Sequence, residues 1–320
     1  MVNKDTHPVL KYWPQYRWAN VGAMIKNSMQ APEICEDDFQ GRLVVITGAT
    51  SGIGYHTART YASRGANLLT INRNEQKSAA LCQALERDFG VACDYLLADL
   101  SRLADIHRVG NTLAAMEAPI AVLIHNAGLY LSTRVLTEDS IETTFAVNYL
   151  ASFVINNLVK EKLKAQQRTR IILVSSEGYR FAVWGLRLDD LNWDRRRYTG
   201  LRAYGASKTA QLLAMLIFHD DFCANGVTIN AMHPGMVVTN TGKDNGPLYK
   251  WYKRNFLDRL SQSAEISEQA LYYLGVSKAL AGVSGEFFNL TRMEELAPPA
   301  RDREAAAALW DISLEMGGLQ

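Results

Sequence analysis

The stretch RLVVITGATSGIG at residues 42–54 constrains the fold more than any other part of this 320-residue chain. It begins with an apolar, β-branched run, which is typical of a strand buried on both faces. Gly48, Gly52 and Gly54 follow, and glycine lets the chain turn tightly and approach a phosphate closely. Segment 55–64 then begins a helix whose free N–H groups favour an anion. This order predicts a dinucleotide site, with an ordinary βα turn as the alternative.

Apolar runs of strand length alternate with segments of helix length from residue 43 onward. The runs are 43–47, 67–71, 94–98, 120–124, 170–175, 227–232 and 285–290, and the helical segments are 54–64, 75–88, 103–116, 138–165, 204–224 and 265–279. This α/β alternation predicts a Rossmann-type, doubly wound parallel sheet with helices on both faces. We expect one such domain over residues 41–320, after an N-terminal extension of residues 1–40. Trp310 and Leu314 indicate a terminal helix that docks on this domain.

Composition excludes several classes of protein. With 48% hydrophobic residues and a net charge of +1, the chain is globular and attracts no polyanion, so we expect no nucleic-acid partner. The six histidines lack ligand spacing, and we expect no metal. The four cysteines form no close-spaced pair, which is typical of reduced, mostly buried thiols in an intracellular protein. Without a long apolar run or a secretory signal, the chain is expected to be soluble and cytoplasmic.

The N-terminal extension combines aromatic, apolar and basic residues. They are Tyr12, Trp13, Tyr16, Trp18, Val21, Met24, Ile25 and Met29, interleaved with Lys11, Arg17 and Lys26. Part of this segment is compatible with an amphipathic helix, which we expect to pack on the protein's own body or on a neighbouring subunit. The alternative is weak contact between residues 1–40 and a membrane surface, because Trp, Tyr and basic residues suit the headgroup boundary.

Polar residues follow the predicted strands, at the edge where doubly wound sheets bind ligands. Asn72 and Arg73 follow the second strand, where an NAD site usually has an acid. Arg73 is suited to a 2′-phosphate, which favours NADP(H) over NAD, although a solvated arginine is the alternative. The later strands are followed by Asp99-Leu100, Asn126-Ala127-Gly128 and Ser175-Ser176.

Together the motifs resemble the short-chain dehydrogenase/reductase family. They are Thr47-Gly48-x3-Gly52-x-Gly54, Asp99, Asn126-Ala127-Gly128, Asn148, Ser176, Tyr204-x3-Lys208 and Pro234-Gly235 with Thr239. The long gap between Ser176 and Tyr204 and the C-terminal pattern resemble the branch of retinol dehydrogenases, WW-domain-containing oxidoreductase and, more distantly, protochlorophyllide reductase. In two respects this chain departs from the pattern. His125 replaces a more usual asparagine, and the membrane-spanning N-terminal helix of some retinol dehydrogenases is not expected.

The resemblance implies roles for four catalytic residues. Tyr204 would be the general acid/base, although an unperturbed phenol has a pKa near 10. Lys208, on the same helix face, would lower that pKa by its charge. Ser176 would hold the substrate oxygen, and Asn148 would hold a water that links Lys208 to solvent. His125 and His233 are expected to be structural.

The resemblance also implies the residues that hold NADP(H). They are Gly48, Thr50, Ser51, Gly52, Ile53, Gly54, Asn72, Arg73, Asp99, Leu100, Asn126, Ala127, Gly128, Tyr204, Lys208, Pro234, Gly235, Val237 and Thr239. In this family, the region that corresponds to 240–262 closes over the substrate.

Aromatic residues in two segments predict an apolar pocket for a bulky apolar or aromatic substrate. Residues 240–262 contribute Leu248, Tyr249, Trp251, Tyr252 and Phe256, and the insertion 177–203 contributes Tyr179, Phe181, Trp184 and Trp193. Packing of these side chains within the lid is the alternative.

The sequence therefore predicts an NADP(H)-dependent oxidoreductase that interconverts a carbonyl and an alcohol. Reduction of a carbon–carbon double bond is an alternative, because the same tyrosine and lysine can protonate carbon. A non-catalytic NADP-sensing or scaffold protein is another, which the intact Tyr204 and Lys208 disfavour. The resemblance favours a homodimer or homotetramer.

Overall fold

Strands of the chain form one sheet in a computed structural model that describes residues 8–17, 27, 30–166, 168–235 and 264–319. These strands are β1 (Leu43–Thr47), β2 (Asn67–Asn72), β3 (Cys93–Leu97), β4 (Ile120–His125), β5 (Arg170–Val174), β6 (Thr228–His233), β7 (Phe287–Asn289) and β8 (Arg292–Glu294). In the described ranges the sheet order is β3-β2-β1-β4-β5-β6-β7-β8. All neighbouring pairs are parallel except β7 and β8. The predicted doubly wound parallel sheet is therefore confirmed.

Helices cover both faces of this sheet. They are α1 (Pro8–Tyr12), α2 (Gly52–Ser63), α3 (Glu75–Phe89), α4 (Leu103–Ala115), α5 (Thr143–Phe145), α6 (Ala151–Gln166), α7 (Gly200–Phe222), α8 (Ala264–Val276) and α9 (Arg303–Met316). Helices α4, α6, α7 and α9 pack on one face, and α2, α3 and α8 pack on the other. Within the described ranges, none of these helices is long and apolar enough to span a bilayer.

Alternation along β1 divides the core between the two faces. Val45 points into the layer of α4, α6 and α7, whereas its neighbour Ile46 points into the layer of α2, α3 and α8. Because both neighbours are fully buried, the strand reads as a continuous apolar run. This burial fixes β1 at the centre of the sheet and directs the glycine-rich turn to its carboxyl edge.

Two predictions about secondary structure are wrong. The helix expected over 138–165 begins only at Thr143, because Glu142 forms a bridge with Leu136 and then caps the main-chain N–H groups of Thr144 and Phe145. A π-helical turn at Ala146–Leu150 separates α5 from α6. The sequence analysis also did not predict strand β8, because three residues are too few to show an alternation of apolar and polar side chains.

The terminal helix docks as predicted. Trp310 of α9 lies edge-on to Phe218, with 4.7 Å between ring centroids, and also contacts Phe153. The Ser313 hydroxyl on the same helix is 2.6 Å from the Tyr149 hydroxyl. Helix α9 therefore closes the core over α6 and α7.

The described part of the N-terminal extension packs on the protein itself. Tyr12 is buried, and its hydroxyl donates to Asp302 at 2.6 Å. Lys11 forms an ion pair with the same carboxylate, and the Asn27 amide donates to Glu294. These contacts favour the packing interpretation. Trp18, Val21, Met24, Ile25, Lys26 and Met29 lie outside the described residues.

The cysteines correct another expectation. All four are free thiols, but only Cys82 is buried, whereas Cys223 is exposed and Cys35 and Cys93 are partly exposed. Cys223 follows the last turn of α7, which reaches the surface. The prediction of mostly buried thiols is therefore wrong.

Candidate active site

The glycine-rich turn after β1 requires glycine for steric reasons. Gly48 has φ +71°, a conformation that side chains disfavour. A Cβ on Gly54 would lie 2.3 Å from the Gly48 carbonyl oxygen and 2.4 Å from Asn126 Nδ2. Gly52 begins α2 after the partly exposed Thr50 and the exposed Ser51, whereas Ile53 is buried. This cradle fits a pyrophosphate, since it combines bare backbone with a helix N-terminus.

Asn126 and Thr47 tie the turn to the end of β4. Asn126 Nδ2 donates to the carbonyl oxygens of Thr47 and Gly48, both at 3.0 Å. The Thr47 hydroxyl accepts from the main-chain N–H groups of Asn126 and Ala127. These bonds fix two strand ends relative to each other, and Gly128 continues past them toward Asn148.

Asn72 and Arg73, at the end of β2, have different surroundings. Asn72 is buried, and its Oδ1 accepts from the Ala49 main-chain N–H at 2.8 Å, while its Nδ2 donates to the Thr70 hydroxyl. Asn72 therefore positions the glycine-rich turn with both polar atoms of its amide. Arg73 is exposed at the sheet edge, where its guanidinium is accessible to a ligand.

The remaining predicted cofactor residues follow β3 and β6. Asp99 accepts from the main-chain N–H and the hydroxyl of Ser101, and Leu100 is buried beside it. Pro234 and Gly235 follow β6, and the Pro234 carbonyl accepts from the Ser267 hydroxyl. Val237, Thr239 and the predicted lid 240–262 lie outside the described residues.

Tyr204 lies at the centre of the site, on the first turns of α7. Ser176, just beyond β5, is within hydrogen-bonding reach of the Tyr204 hydroxyl and also accepts from the Gly178 N–H at 3.0 Å. Burial raises the pKa of Tyr204, and the Ser176 hydrogen bond opposes that shift. Ser175 points elsewhere, with a buried hydroxyl that has no hydrogen-bond partner. The geometry favours Ser176 as the hydroxyl that acts with Tyr204.

Lys208 lies one turn after Tyr204, with its Nζ 6.0 Å from the centroid of that ring. Nζ donates to the Val174 carbonyl oxygen at 2.7 Å and to Gln211 Oε1 at 3.5 Å. Burial lowers the pKa of Lys208 to about 7. The amine therefore titrates near neutral pH, because burial disfavours its charged form.

Asn148 lies in the π-helical turn, which directs it toward the site. Its side chain forms a two-way pair with the Leu129 backbone and donates to the Ser207 hydroxyl. The main-chain carbonyl oxygen of Asn148 accepts from Gln211 Nε2 at 3.3 Å. Gln211 therefore connects Asn148 to Lys208. Asn148, Gln211 and His125 also line a small cavity. π-helical turns often occur at functional sites.

His125 and His233, the two histidines expected to be structural, are buried and neutral. Burial lowers the pKa of His125 to about 4, although its bond to Asn156 at 2.8 Å opposes the shift. Burial and the nearby Arg180 charge lower the pKa of His233 to about 4. Among the described residues, no three His, Cys, Asp or Glu side chains come together as a metal site.

The aromatic residues of the insertion divide into two groups. Tyr179 and Trp193 are buried: Tyr179 packs 5.4 Å from Phe287, and Arg196 stacks on the Trp193 ring. These two belong to the core, so the prediction that they line a pocket is wrong. Phe181 and Trp184 remain exposed by 50% and 38%. Leu248, Tyr249, Trp251, Tyr252 and Phe256, predicted for the opposite wall, lie outside the described residues.

An ionic cluster follows Ser176, in which Glu294 is buried and Glu177 and Arg180 are partly buried. Arg180 pairs with Glu177 and lies 3.8 Å from the Glu294 carboxylate. Burial raises the pKa of Glu177, the Arg180 charge opposes that shift, and Glu294 adds to it. The Asn27 amide donates to the other Glu294 oxygen at 3.0 Å. The N-terminal extension thus supports the wall of the site.

Sequence reasoning missed three contacts of the site. Gln211 bridges Lys208 and Asn148, and its position one turn after Lys208 was a usable signal. Tyr130 packs edge-on to Tyr204 at 6.0 Å, but a loop residue carries no periodicity that would indicate this. The Val174 carbonyl is invisible in a sequence, since every residue has one.

The chain is similar to known proteins. The sequence model of the short chain dehydrogenase family matches residues 42–185. Human retinol dehydrogenase 13 is 34% identical over 88% of this chain and 86% of its own. The human WW domain-containing oxidoreductase is 32% identical over 89% and 70%. A short-chain dehydrogenase from Sphingobium yanoikuyae, solved in complex with NADPH, has a TM-score of 0.59 and 25% identity over 72% of this chain and 82% of its own.

The glycine-rich turn, the tyrosine–lysine helix and these matches lead to one conclusion. The protein is an oxidoreductase of the short-chain dehydrogenase/reductase family, in the branch of the retinol dehydrogenases and WW domain-containing oxidoreductase.

Proposed function

We propose that the protein uses NADP(H) to interconvert a carbonyl and an alcohol on a bulky apolar or aromatic substrate. The observation that carries this proposal is the convergence of Ser176 and Lys208 on Tyr204, beside a turn shaped for a pyrophosphate. NADPH, when bound, would supply the hydride and leave a positive charge near the tyrosine.

Tyr204 would donate the proton to the carbonyl oxygen. Because burial raises its pKa, the hydroxyl is protonated at neutral pH and ready to act as an acid. Ser176 would hold the substrate oxygen beside that hydroxyl. In the oxidation direction Tyr204 must act as a base, so a protonated Lys208 would have to lower its pKa.

Lys208, Gln211 and Asn148 would return a proton to Tyr204. Lys208 titrates near pH 7, which suits a group that exchanges protons at neutral pH. Gln211 orients the amine and joins it to the Asn148 carbonyl. A water in the small cavity beside Asn148, which polar and apolar side chains line together, would complete the path.

Arg73 supports the choice of NADP(H) over NAD(H). It is exposed at the end of β2, between Asn72 and Asn74 in the sequence, and the Asn72 amide is already used within the protein. A guanidinium there would pair with a 2′-phosphate. The related enzyme solved with NADPH is consistent with this choice.

The Arg73→Ala variant tests the cofactor. We expect its Kd for NADPH to rise about tenfold, the usual worth of a hydrogen bond to a charged group, while its Kd for NADH stays constant. Arg87→Ala, on the exposed end of α3, is the matched control and should change neither Kd. Equal losses for NADPH and NADH would overturn the assignment of Arg73.

The substrate class rests on apolar side chains beside Tyr204. Tyr130 contacts its ring, and Phe181 lies against Gly205 with half of its surface exposed. NADPH consumption should therefore be measured with aldehydes and ketones of graded size, and the products identified. We expect the products to be alcohols, with faster turnover of bulky apolar carbonyls.

A saturated carbon–carbon bond with the carbonyl intact would indicate double-bond reduction instead. NADPH binding without any turnover would indicate a sensor.

A further inference from the structure

Two cysteines that are eleven residues apart in sequence meet at the edge of the sheet. Cys82 lies on the buried face of α3, and Cys93 begins β3, the edge strand. Their Sγ atoms are 2.7 Å apart, and either thiol could donate a hydrogen bond to the other. The contact joins a helix to a strand and has no role in the proposed chemistry at Tyr204.

The surroundings of the two thiols differ in a way that suits oxidation. The hydrogen bond from Cys93 lowers the pKa of Cys82, and Thr70 adds to that shift, whereas the same contact raises the pKa of Cys93. A thiolate is the nucleophilic form of cysteine. Cys93 is partly exposed between the exposed Ala92 and Asp94, so a small oxidant can approach the pair.

We propose that Cys82 and Cys93 form a reversible dithiol–disulfide pair whose oxidation by a hydroperoxide weakens cofactor binding. The Cys82 sulfur attacks a peroxide oxygen and breaks the O–O bond, which gives a sulfenic acid and, with hydrogen peroxide, one water. The Cys93 sulfur then attacks the sulfenic sulfur, and the hydroxyl leaves as a second water with the Cys93 proton. The two thiols lose two electrons, and the peroxide gains them.

A chain of side chains links this pair to the glycine-rich turn. The Thr70 hydroxyl, in reach of Cys82, accepts from Asn72 Nδ2 at 3.0 Å. Asn72 Oδ1 in turn accepts from the Ala49 N–H of the turn. A disulfide sulfur is a weak acceptor, so oxidation would leave the Thr70 hydroxyl to donate to the Asp94 carbonyl oxygen, which lies 3.4 Å away. The turn then loses part of the support that holds it in shape for the pyrophosphate. This coupling rests on the proposed cofactor, but disulfide formation does not.

The thiol chemistry can be tested without any cofactor. In a Cys35→Ser/Cys223→Ser background, hydrogen peroxide should remove two hydrogen atoms from the intact mass and link the peptides of Cys82 and Cys93. Dithiothreitol should reverse both changes. The same background with Cys93→Ser should gain oxygen instead. Oxygen addition in place of the link, with both cysteines present, would overturn the proposal.

The coupling is tested by NADPH binding to the reduced and oxidised forms. We expect the Kd to rise about fivefold on oxidation, which is an ordinary size for coupling between sites. Thr70→Val should still form the disulfide but lose the dependence of Kd on oxidation. A complete disulfide with an unchanged Kd in the Cys35→Ser/Cys223→Ser chain would overturn the coupling. Failure of the reduced chain to bind NADPH would count against the proposed function, while the mass result still decides the thiol pair.

Discussion

The glycine-rich turn and the insertion 177–203 both belong to the candidate site, but different interactions hold them in place. Around the turn, neutral side chains bond to backbone, as Asn126 does with two carbonyl oxygens. The insertion is held by guanidinium–carboxylate pairs. These are Arg180–Glu177, Arg196–Asp190, Arg134–Asp194 and Arg195–Asp189.

The difference teaches which perturbation each region resists. Neutral bonds to backbone depend on shape, so the turn should tolerate changes of pH but not an added methyl group. Ion pairs depend on both charges, so the insertion should tolerate small changes of shape but not the loss of a cation that pairs with a buried carboxylate, such as Glu294 or Asp190. The predictions below test this contrast.

The largest effect is expected from Gly54→Ala. The new Cβ would collide with the Gly48 carbonyl and the Asn126 amide, neither of which can move freely. We expect NADPH affinity to fall about a hundredfold, as a misplacement near 1 Å commonly causes, while circular dichroism shows the fold intact. Gly90→Ala is the control for a glycine without a steric clash, since a Cβ there meets open space although its φ is +68°. Equal affinity in the two variants would remove the steric account of the turn.

Arg180→Met tests the insertion. It would leave the buried Glu294 carboxylate and the partly buried Glu177 carboxylate without their cation, and breaking a buried pair typically costs about 3–5 kcal/mol. Urea unfolding measures the loss. Arg187→Met serves as the control, because its pair with Asp189 is exposed and should contribute less than about 1 kcal/mol. A loss at Arg180 no greater than at Arg187 would break the contrast.

Lys208→Met tests the contribution of the buried Lys208 amine to the dependence of stability on pH. The folded-state pKa of Lys208, about 7, lies below its ordinary value of 10.5. Between these values the unfolded chain binds the proton and the folded chain does not, so wild-type stability should rise with pH. From pH 7 to 9 the gain that depends on Lys208 should be about 2 kcal/mol, and the variant should lack it. Parallel pH–stability curves for the two proteins would show that Lys208 titrates normally.

Tyr12→Phe should give the smallest effect. It removes the hydrogen bond from the extension to Asp302 and should lower the free energy of unfolding by about 1 kcal/mol. Leu10→Ala, at a residue 69% exposed, should stay within about 0.5 kcal/mol of wild type. If Tyr12→Phe changed the free energy of unfolding as little as Leu10→Ala does, the extension would not stabilise the domain through this contact.

The same contrast explains what the sequence could predict. The glycine-rich turn was predictable, because Gly48 and Gly54 serve a local geometry that only closely spaced residues can build. The role of Lys208 was implied by the family resemblance, and its helical spacing to Tyr204 placed it on the same helix face. The ionic cluster of Arg180, Glu177 and Glu294 was not predictable. Arg180 and Glu294 are 114 residues apart in the sequence, and Glu294 lies in the three-residue strand β8, which the sequence did not indicate. The Cys82–Cys93 contact was missed for the same reason, because helix and strand packing creates it.

The central claim is that Tyr204 transfers a proton while the turn holds NADPH independently. Tyr204→Phe tests it most directly, with NADPH affinity and carbonyl turnover measured on the same preparation. We predict a Kd within about twofold of wild type and a kcat reduced by about 10²–10⁴, the usual contribution of a positioned acid. Turnover near the wild-type rate in the phenylalanine variant would contradict the account.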